Sequence, residues 1–251
     1  MIRTFVRNAI FRLVRKSGYE IVDPTRLPVE ATAAEASIVE RVRPYTMTSV
    51  DRIWALLNAV RYVAQKPVEG AVVECGVWRG GSMMAAAMQL LNVGSVRDLF
   101  LFDTFAGMTQ PTAVDKADDE TALPKWRASQ RETHNEWAFS PLDDVRRNMH
   151  STGYPQERIR FIKGPVEATL LVKENLPDKI ALLRLDTDWY ESTKLELEVL
   201  FPRLIDGGIL LIDDFGDWEG SQKATVEYFE NNKVRLLLNK VDRAGRICLK
   251  V

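Results

Sequence analysis

Short continuous apolar runs, separated by helical patterns, dominate the sequence from residue 70 onward. The first run, AVVEC (71–75), leads through a Gly-rich turn into the helical pattern SMMAAAMQLLNV. The later runs are DLFLFDTF (98–105), RIRFIKG (158–164), IALLRLD (180–186), GILLIDD (208–214), VRLLLNKV (234–241) and RICLKV (246–251). Strands that are apolar at every position and alternate with helices indicate a parallel sheet covered on both faces, and the short Asp-Arg-Ala-Gly turn between the last two runs indicates an antiparallel hairpin. The pattern therefore predicts a doubly wound α/β fold with a mostly parallel, seven-stranded sheet.

Two segments depart from this alternation. The N-terminal segment 1–69 predicts helices that precede the main domain, which we expect over 70–251. It opens with MIRTFVRNAIFRLVRK, a basic amphipathic pattern that fits either packing against the body or a dimer partner, or contact with a membrane surface. Its second helical pattern has Thr48 or Ser49 as N-cap. The other segment, 107–140, is polar, contains prolines and shows no clear period, so we expect a lid over the site.

Composition narrows the class of protein. With 251 residues and 46% hydrophobic content the chain can bury one sizeable core. A net charge of -1 argues against a protein organised around nucleic acid, which usually carries a basic excess. Cys75 and Cys248 lie in apolar runs without metal-ligand spacing, which indicates buried reduced thiols. No apolar run approaches the ~20 residues that cross a bilayer, so we expect a cytoplasmic protein, or one at the inner face of the membrane through residues 1–17.

Acidic residues end two of the predicted core strands. IALLRLDTDWYEST runs into Asp186 and Asp188, and LLIDDF ends in Asp213 and Asp214. Because neighbouring parallel strands end at the same edge of a sheet, the carboxylates of Asp186, Asp213 and Asp214 should converge. Converging like charges repel unless a cation lies between them, and oxygen ligands with open positions suit Mg²⁺.

The first strand and its turn suggest a nucleoside-type cofactor. In VVECGVWRGGS, Gly76 and Gly80 let the backbone approach a ligand closely, but the motif is neither GxGxxG nor a Walker A loop. Glu74 closes the first strand and Asp103 closes the second. An acid at the end of the second strand can accept hydrogen bonds from ribose hydroxyls.

Five motifs, taken together and in order, resemble a known family. They are PYTMTS (44–49), VVECGVWRGGSMM (72–84), LFLFDTF (99–105), LRLDTDWYEST (183–193) and IDDF (212–215). The chain resembles the macrocin O-methyltransferase (TylF/MycF/NovP) family of S-adenosylmethionine-dependent enzymes, which methylate sugar hydroxyls. The resemblance runs from about Arg41 to near Phe229. It implies a class I, Rossmann-like methyltransferase that is Mg²⁺-dependent, forms a homodimer and acts on a sugar-containing natural product or surface polysaccharide.

The resemblance also implies roles for particular residues. Asp186, Asp213 and Asp214 would hold the metal ion, and Asp186 would also be the candidate general base. His134, in the lid, is a competing base, and Asp188 has no assigned role. The cofactor would be bound by Thr46, Met47, Glu74, Gly76, Gly80, Ser82, Asp103, Thr104, Phe105, Gly164, Val166 and Glu167.

Two other functions remain open at the level of the sequence. The same pocket would suit a non-catalytic module that binds a nucleoside or nucleotide sugar. Catechol-type methyltransferases of small phenols also use a metal held by acids at these two strand ends. The acceptor distinguishes a sugar O-methyltransferase from a small-phenol O-methyltransferase, and the sequence does not specify the acceptor.

Overall fold

The computed structural model describes Val14 and residues 16–18, 26–66 and 68–251. Most of the predicted amphipathic helix over residues 1–17 therefore lies outside the described residues, and its packing, its membrane contact and the homodimer stay predictions. The same holds for the division at residue 69. In the described part of the chain, no helix is both long enough and apolar enough to cross a membrane.

A seven-stranded sheet forms the centre of the protein. The strands are β1 (Ala71–Cys75), β2 (Leu99–Asp103), β3 (Lys116–Ala117), β4 (Glu120–Thr121), β5 (Ile159–Lys163), β6 (Ile180–Leu185), β7 (Leu204–Ile212), β8 (Asn239–Lys240) and β9 (Arg246–Leu249). The sheet has the order β5-β2-β1-β6-β7-β9-β8, while β3 and β4 form a separate hairpin. The five strands β5, β2, β1, β6 and β7 are parallel, and β9 pairs antiparallel with both β7 and β8. This confirms the predicted fold class.

Helices cover both faces of the sheet. They are α1 (Ala33–Val42), α2 (Val50–Gln65), α3 (Gly81–Asn92), α4 (Leu123–Ala128), α5 (Leu142–His150), α6 (Val166–Thr169), α7 (Tyr190–Leu200) and α8 (Glu219–Asn231). Side chains alternate across each strand, so Val72 packs with the layer that contains α2 and α3, and Val73 packs with the layer that contains α7 and α8. The N-cap of α2 is Ser49, whose hydroxyl accepts the amide of Arg52. Cys75 and Cys248 are buried free thiols, as predicted.

The C-terminal hairpin is shorter than its sequence predicts. The apolar run 234–241 suggests a full strand, but only Asn239–Lys240 pairs with β9. This strand is the outermost of the sheet, and Val234, Leu236 and Leu238 instead pack, partly buried, against one core layer.

The segment 107–140 has defined structure despite its lack of periodicity. It contains β3, β4 and α4, and side chains bond to its backbone. Trp126 Nε1 donates to the carbonyl of Met108 at 2.9 Å, and Trp189 Nε1 donates to the carbonyl of Thr109 at 3.0 Å. These bonds hold the start of the segment beside the carboxyl ends of the central strands.

Candidate active site

A cleft opens at the carboxyl ends of β1, β2, β5 and β6. This strand-end cleft encloses about 660 Å³ of empty space, part of it open to solvent. Seven of the residues predicted to bind the cofactor line it: Met47, Gly76, Asp103, Thr104, Gly164, Val166 and Glu167. The segment 107–140 contributes Gly107, Met108, Thr109 and Ala138 to one wall. A strand-end cleft between parallel strands is where open α/β sheets bind ligands.

Asp103 ties the turn after β1 to the end of β2. Its Oδ2 accepts the amides of Val77 at 2.7 Å and Trp78 at 3.0 Å, and its Oδ1 accepts the amide of Phe105 at 2.6 Å. Burial raises the pKa of Asp103, and these amides oppose that rise because they favour the charged form. The carboxylate therefore shapes the cleft as well as lining it.

Gly76 allows the turn after β1 to pass directly against the end of β6. Its φ is +81°, in the left-handed region, and a Cβ at this position would lie 1.8 Å from the carbonyl oxygen of Asp186. Only glycine accommodates such an approach. The turn and Asp186 are thereby brought to the same wall of the cleft.

A second cavity, here called the acidic cavity, adjoins the strand-end cleft and has about 760 Å³ of empty space, part of it open to solvent. Its lining includes the predicted residues Thr46, Met47, Ser82, Asp186, Asp213 and Asp214, together with Tyr45, Thr48, Arg52, Trp78, Asp188, Asp217 and Trp218. Met47, Trp78, Asp186 and Asp188 line both cavities. The two spaces therefore share a boundary at the ends of β1 and β6.

Arg184 lies beneath this boundary and binds three carboxylates. Its Nη1 is 2.5 Å from Glu74 Oε1 and 2.5 Å from Asp186 Oδ2, and its Nη2 is 2.5 Å from Asp213 Oδ1. Nη2 also donates to Thr48 Oγ1 at 2.8 Å. Asp213 is held from the other side by Arg52, which bonds both its carboxylate and its carbonyl oxygen. Asp213 thus faces two arginines.

Asp186, Asp188 and Asp214 form the closest group of carboxylates, with ligand atoms within 4.8 Å of one another. Burial, reinforced by neighbouring acids, raises the pKa of Asp186 to about 7 even though Arg184 lowers it. Burial also raises the pKa of Asp188 to about 6, and that of Asp214 rises well above its ordinary value. The buried Glu74, whose Oε2 has no partner among the described residues, has its pKa raised by burial to about 8. Negative charge here exceeds what the arginines balance, which is the condition that a bound cation relieves.

Some predicted residues lie outside these cavities. Glu74 faces Arg184 under the site, Gly80 is the N-cap of α3, and Phe105 is buried beside the cleft. His134, within the segment 107–140, lines a neighbouring cavity and stacks on Phe139, with ring centroids 4.1 Å apart. His134 is not among the described residues that line the strand-end cleft or the acidic cavity. The roles predicted for these residues stay predictions.

Several residues at the site had no place in the sequence prediction. Trp78 stands inside the glycine motif and takes a left-handed φ of 47°, a conformation that sequence patterns do not reveal. Arg184 is a charged residue within an apolar strand, which was the available signal for a buried ion pair. Arg52 and Trp218 gave no local signal, because their partners are distant in sequence.

The chain matches the family Macrocin-O-methyltransferase (TylF) over residues 3–249. It is 35% identical over 206 residues to 8-demethyl-8-(2,3-dimethoxy-alpha-L-rhamnosyl)-tetracenomycin-C 4'-O-methyltransferase of Streptomyces olivaceus, which covers 80% of this chain and 74% of the relative. It is 30% identical over 207 residues, with the same coverage, to demethyldecarbamoylnovobiocin O-methyltransferase of Streptomyces niveus. The solved structure of the O-methyltransferase NovP superposes with a TM-score of 0.73 at 25% identity, over 99% of both chains. The strand order, the cleft at the strand ends and these matches agree, and the chain belongs to the macrocin O-methyltransferase family.

Proposed function

We propose that this protein transfers a methyl group from S-adenosylmethionine to a hydroxyl of a sugar-containing acceptor, a natural product or a surface polysaccharide, with the help of a divalent cation. One observation carries the proposal. Met47, Trp78, Asp186 and Asp188 line both the strand-end cleft and the acidic cavity. A donor in the cleft and an acceptor in the cavity would meet at these residues.

The strand-end cleft suits the nucleoside donor. Asp103 Oδ2 is occupied by the amides of Val77 and Trp78, but Oδ1 accepts only the amide of Phe105 closely, and its second contact, to the Thr104 hydroxyl, is long at 3.5 Å. Oδ1 can therefore also accept a ribose hydroxyl. Glu167, which also lines the cleft, is oriented by Ser192, whose hydroxyl donates to it at 2.6 Å. The reaction joins the acceptor oxygen to the methyl carbon and breaks the carbon–sulfur bond of the sulfonium. The hydroxyl proton must leave to a base.

We assign the role of this base, which accepts the hydroxyl proton, to Asp188. The resemblance favours Asp186, but one oxygen of Asp186 is paired with Arg184 at 2.5 Å. Asp188 makes no ion pair among the described residues, and its backbone amide donates to Asp214 Oδ2 at 3.2 Å, which fixes its position.

Asp186, Asp213 and Asp214 would hold the cation, as the resemblance implies. When bound, Mg²⁺ lowers the pKa of a coordinated hydroxyl and fixes its oxygen. Asp213 Oδ2 accepts both Arg52 and, at 3.4 Å, the Thr48 hydroxyl, whereas Oδ1 accepts only Arg184 and retains a second lone pair for a cation. The unbalanced negative charge around Glu74 and Asp186 supports this assignment.

A sugar acceptor is supported by the walls of the acidic cavity. Tyr45, Trp78 and Trp218 present aromatic rings, and pyranose rings stack on such surfaces. The name of the Streptomyces olivaceus relative specifies a rhamnosyl-bearing substrate. The aromatic rings would also stack on a phenol, so it is the name of the relative that favours a glycoside over a small phenol.

The test measures methyl transfer from labelled S-adenosylmethionine to a panel of glycosides and to catechol, with Mg²⁺ or with a chelator. We expect glycoside methylation that stops in the chelator. Asp188→Asn should lower kcat by about 10²–10⁴-fold, the usual contribution of a general base, while Mn²⁺ affinity is retained. Asp186→Asn and Asp213→Asn should weaken Mn²⁺ binding measured by titration calorimetry.

The matched control is Asp178→Asn. Asp178 is exposed and lies just before the start of β6, away from the site, so its replacement should change neither kcat nor Mn²⁺ affinity. If only catechol is methylated, the acceptor is a phenol and not a sugar. Cofactor binding without any turnover would instead support a binding module. A loss of Mn²⁺ affinity in Asp188→Asn equal to that in Asp213→Asn would move Asp188 into the ligand set.

A further inference from the structure

The turn between β8 and β9 contacts the site from outside either cavity. It comprises Asp242, Arg243, Ala244 and Gly245. Asp242 Oδ1 accepts the amides of Ala244 at 3.0 Å and Gly245 at 2.7 Å, which closes the turn on itself. Asp242 Oδ2 points away from the turn and accepts Ser49 Oγ at 2.6 Å and Arg52 Nε at 3.0 Å. One carboxylate therefore joins the C-terminal hairpin to the first turn of α2.

Arg52 is held at two edges of its guanidinium. Nε bonds Asp242, while Nη1 bonds Asp213 through its carboxylate and, at 3.2 Å, through its carbonyl oxygen. The Arg52 and Asp242 side chains are only 16% and 18% exposed, so solvent competes weakly for these bonds. A planar guanidinium bonded at both edges has little freedom to rotate. The orientation of Asp213 thus depends on a group that Asp242 fixes.

The same turn also contacts the loop that follows Asp213. The amide of Gly216 donates to the carbonyl of Ala244 at 3.0 Å, and a Cβ on Gly216 would lie 1.9 Å from the carbonyl oxygen of Arg243. The turn therefore packs against Arg52 on one side and against the backbone beyond Asp214 on the other. Both contacts restrict where the Asp213 and Asp214 carboxylates can lie.

We propose that Asp242 is a positioning residue, which acts through Arg52 to hold Asp213 in the arrangement that binds the divalent cation. The inference rests on the proposed function. Asp242 lines neither cavity, so it has no contact with donor or acceptor. The groups that would bind the donor, Asp103 and Glu167, make none of their described hydrogen bonds to this set of residues. Loss of Asp242 should therefore affect the cation and spare the donor.

The test is Asp242→Asn, which keeps the size of the side chain but removes its charge. We expect Mn²⁺ affinity, measured by calorimetry, to fall by about ten- to hundredfold, the range for losing one hydrogen bond to a charged group. The affinity for S-adenosylhomocysteine should stay within about twofold. The control is Glu69→Gln, which removes an exposed ion pair with Lys179 near the opposite ends of the strands and should change neither affinity.

A double-mutant cycle separates positioning from general stabilisation. If Asp242 acts through Arg52, adding Asp242→Asn to Arg52→Gln should cost no further Mn²⁺ affinity. If the losses of Mn²⁺ affinity in the two single variants multiply in the double variant, the inference is overturned. Unchanged Mn²⁺ affinity in Asp242→Asn would also overturn it. Gly245→Ala supplies a second variant should Asp242→Asn fold poorly. Its Cβ would lie 2.7 Å from Arg52 Cδ, so it displaces Arg52 without changing any charge and should show the same signature.

Measurements on the wild-type protein distinguish failure of the proposed function from failure of the inference about Asp242. Wild-type protein that neither binds Mn²⁺ nor needs a cation for turnover would overturn the proposed function and this inference with it. If the wild-type protein binds Mn²⁺ and the Asp242→Asn variant binds it equally tightly, this inference alone is overturned.

Discussion

Replacing Arg184 by methionine should destabilise the protein strongly, because three buried carboxylates lose their shared cation. The guanidinium is 2.5 Å from Glu74, Asp186 and Asp213, and its side chain is 4% exposed. Removing one partner of a buried ion pair costs about 3–5 kcal/mol, since the other charge stays buried and uncompensated. We expect the free energy of unfolding to fall by this amount near pH 8, which is a large share of the ~5–15 kcal/mol of an ordinary domain.

The loss should shrink at lower pH. Burial raises the pKa of Glu74 to about 8 and of Asp186 to about 7, and Arg184 holds both below what burial alone would produce. A carboxyl whose folded-state pKa is raised contributes stability below its unfolded pKa and loses it as pH rises through the folded pKa. Without Arg184 both folded-state values rise further, so the deficit of the variant should be small near pH 5.5 and grow toward pH 8.

Urea unfolding followed by tryptophan fluorescence, in chelator-containing buffer at both pH values, measures the effect. The matched control is Arg158→Met, which removes a half-exposed pair with Asp98 at 3.3 Å and should cost less than about 0.5 kcal/mol. A deficit for Arg184→Met below about 1 kcal/mol, or one that is equal at the two pH values, would refute the reasoning.

Three further outcomes follow from the geometry. Gly76→Ala should abolish methyl transfer, because the left-handed backbone costs about 1–2 kcal/mol and its Cβ would also displace the carbonyl of Asp186; activity within tenfold of wild type would contradict this. Asp103→Asn should weaken S-adenosylhomocysteine binding at least about tenfold in calorimetry, since an amide nitrogen would face backbone donors; unchanged affinity counts against it. Asp115→Ala should make residues 107–140 more sensitive to limited proteolysis, because the buried Asp115 accepts the amide of Tyr190 at 2.8 Å; an unchanged digestion pattern would exclude that role.

The sheet was predictable because its central strands are buried on both faces. The strands β1 and β6 are buried at every position, and the helical patterns between the strands supply the crossovers that a parallel sheet needs. The run 234–241 looked the same but forms only two residues of strand. At the outer edge of the sheet the local pattern does not decide between pairing with a neighbour and packing against the core.

Contacts at the site were predictable only where they follow from the ends of strands. Asp186 and Asp214 converge because β6 and β7 are adjacent and parallel. The partners of Arg184 come from three strands, and those of Arg52 come from the C-terminal hairpin and β7, so no spacing along the chain encodes them. The order of the segment 107–140 is likewise not encoded locally, since it depends on single bonds between its backbone and side chains that are distant in sequence.

The charge that would bind the proposed cation also opposes folding without one. Five carboxylates, those of Glu74, Asp186, Asp188, Asp213 and Asp214, gather around Arg184 and Arg52, and Arg52 is shared with Asp242. Three of these acids have pKa values that burial raises to about 6 to 8, so their ionisation near neutral pH is costly to the folded state. A divalent ion that binds only the folded state offsets this, by about 2.7 kcal/mol at a hundred times its Kd. The arginines therefore reduce the repulsion without abolishing it, and the remainder is what favours the ion; a site fully neutralised by arginine would fold more stably and bind the cation less well.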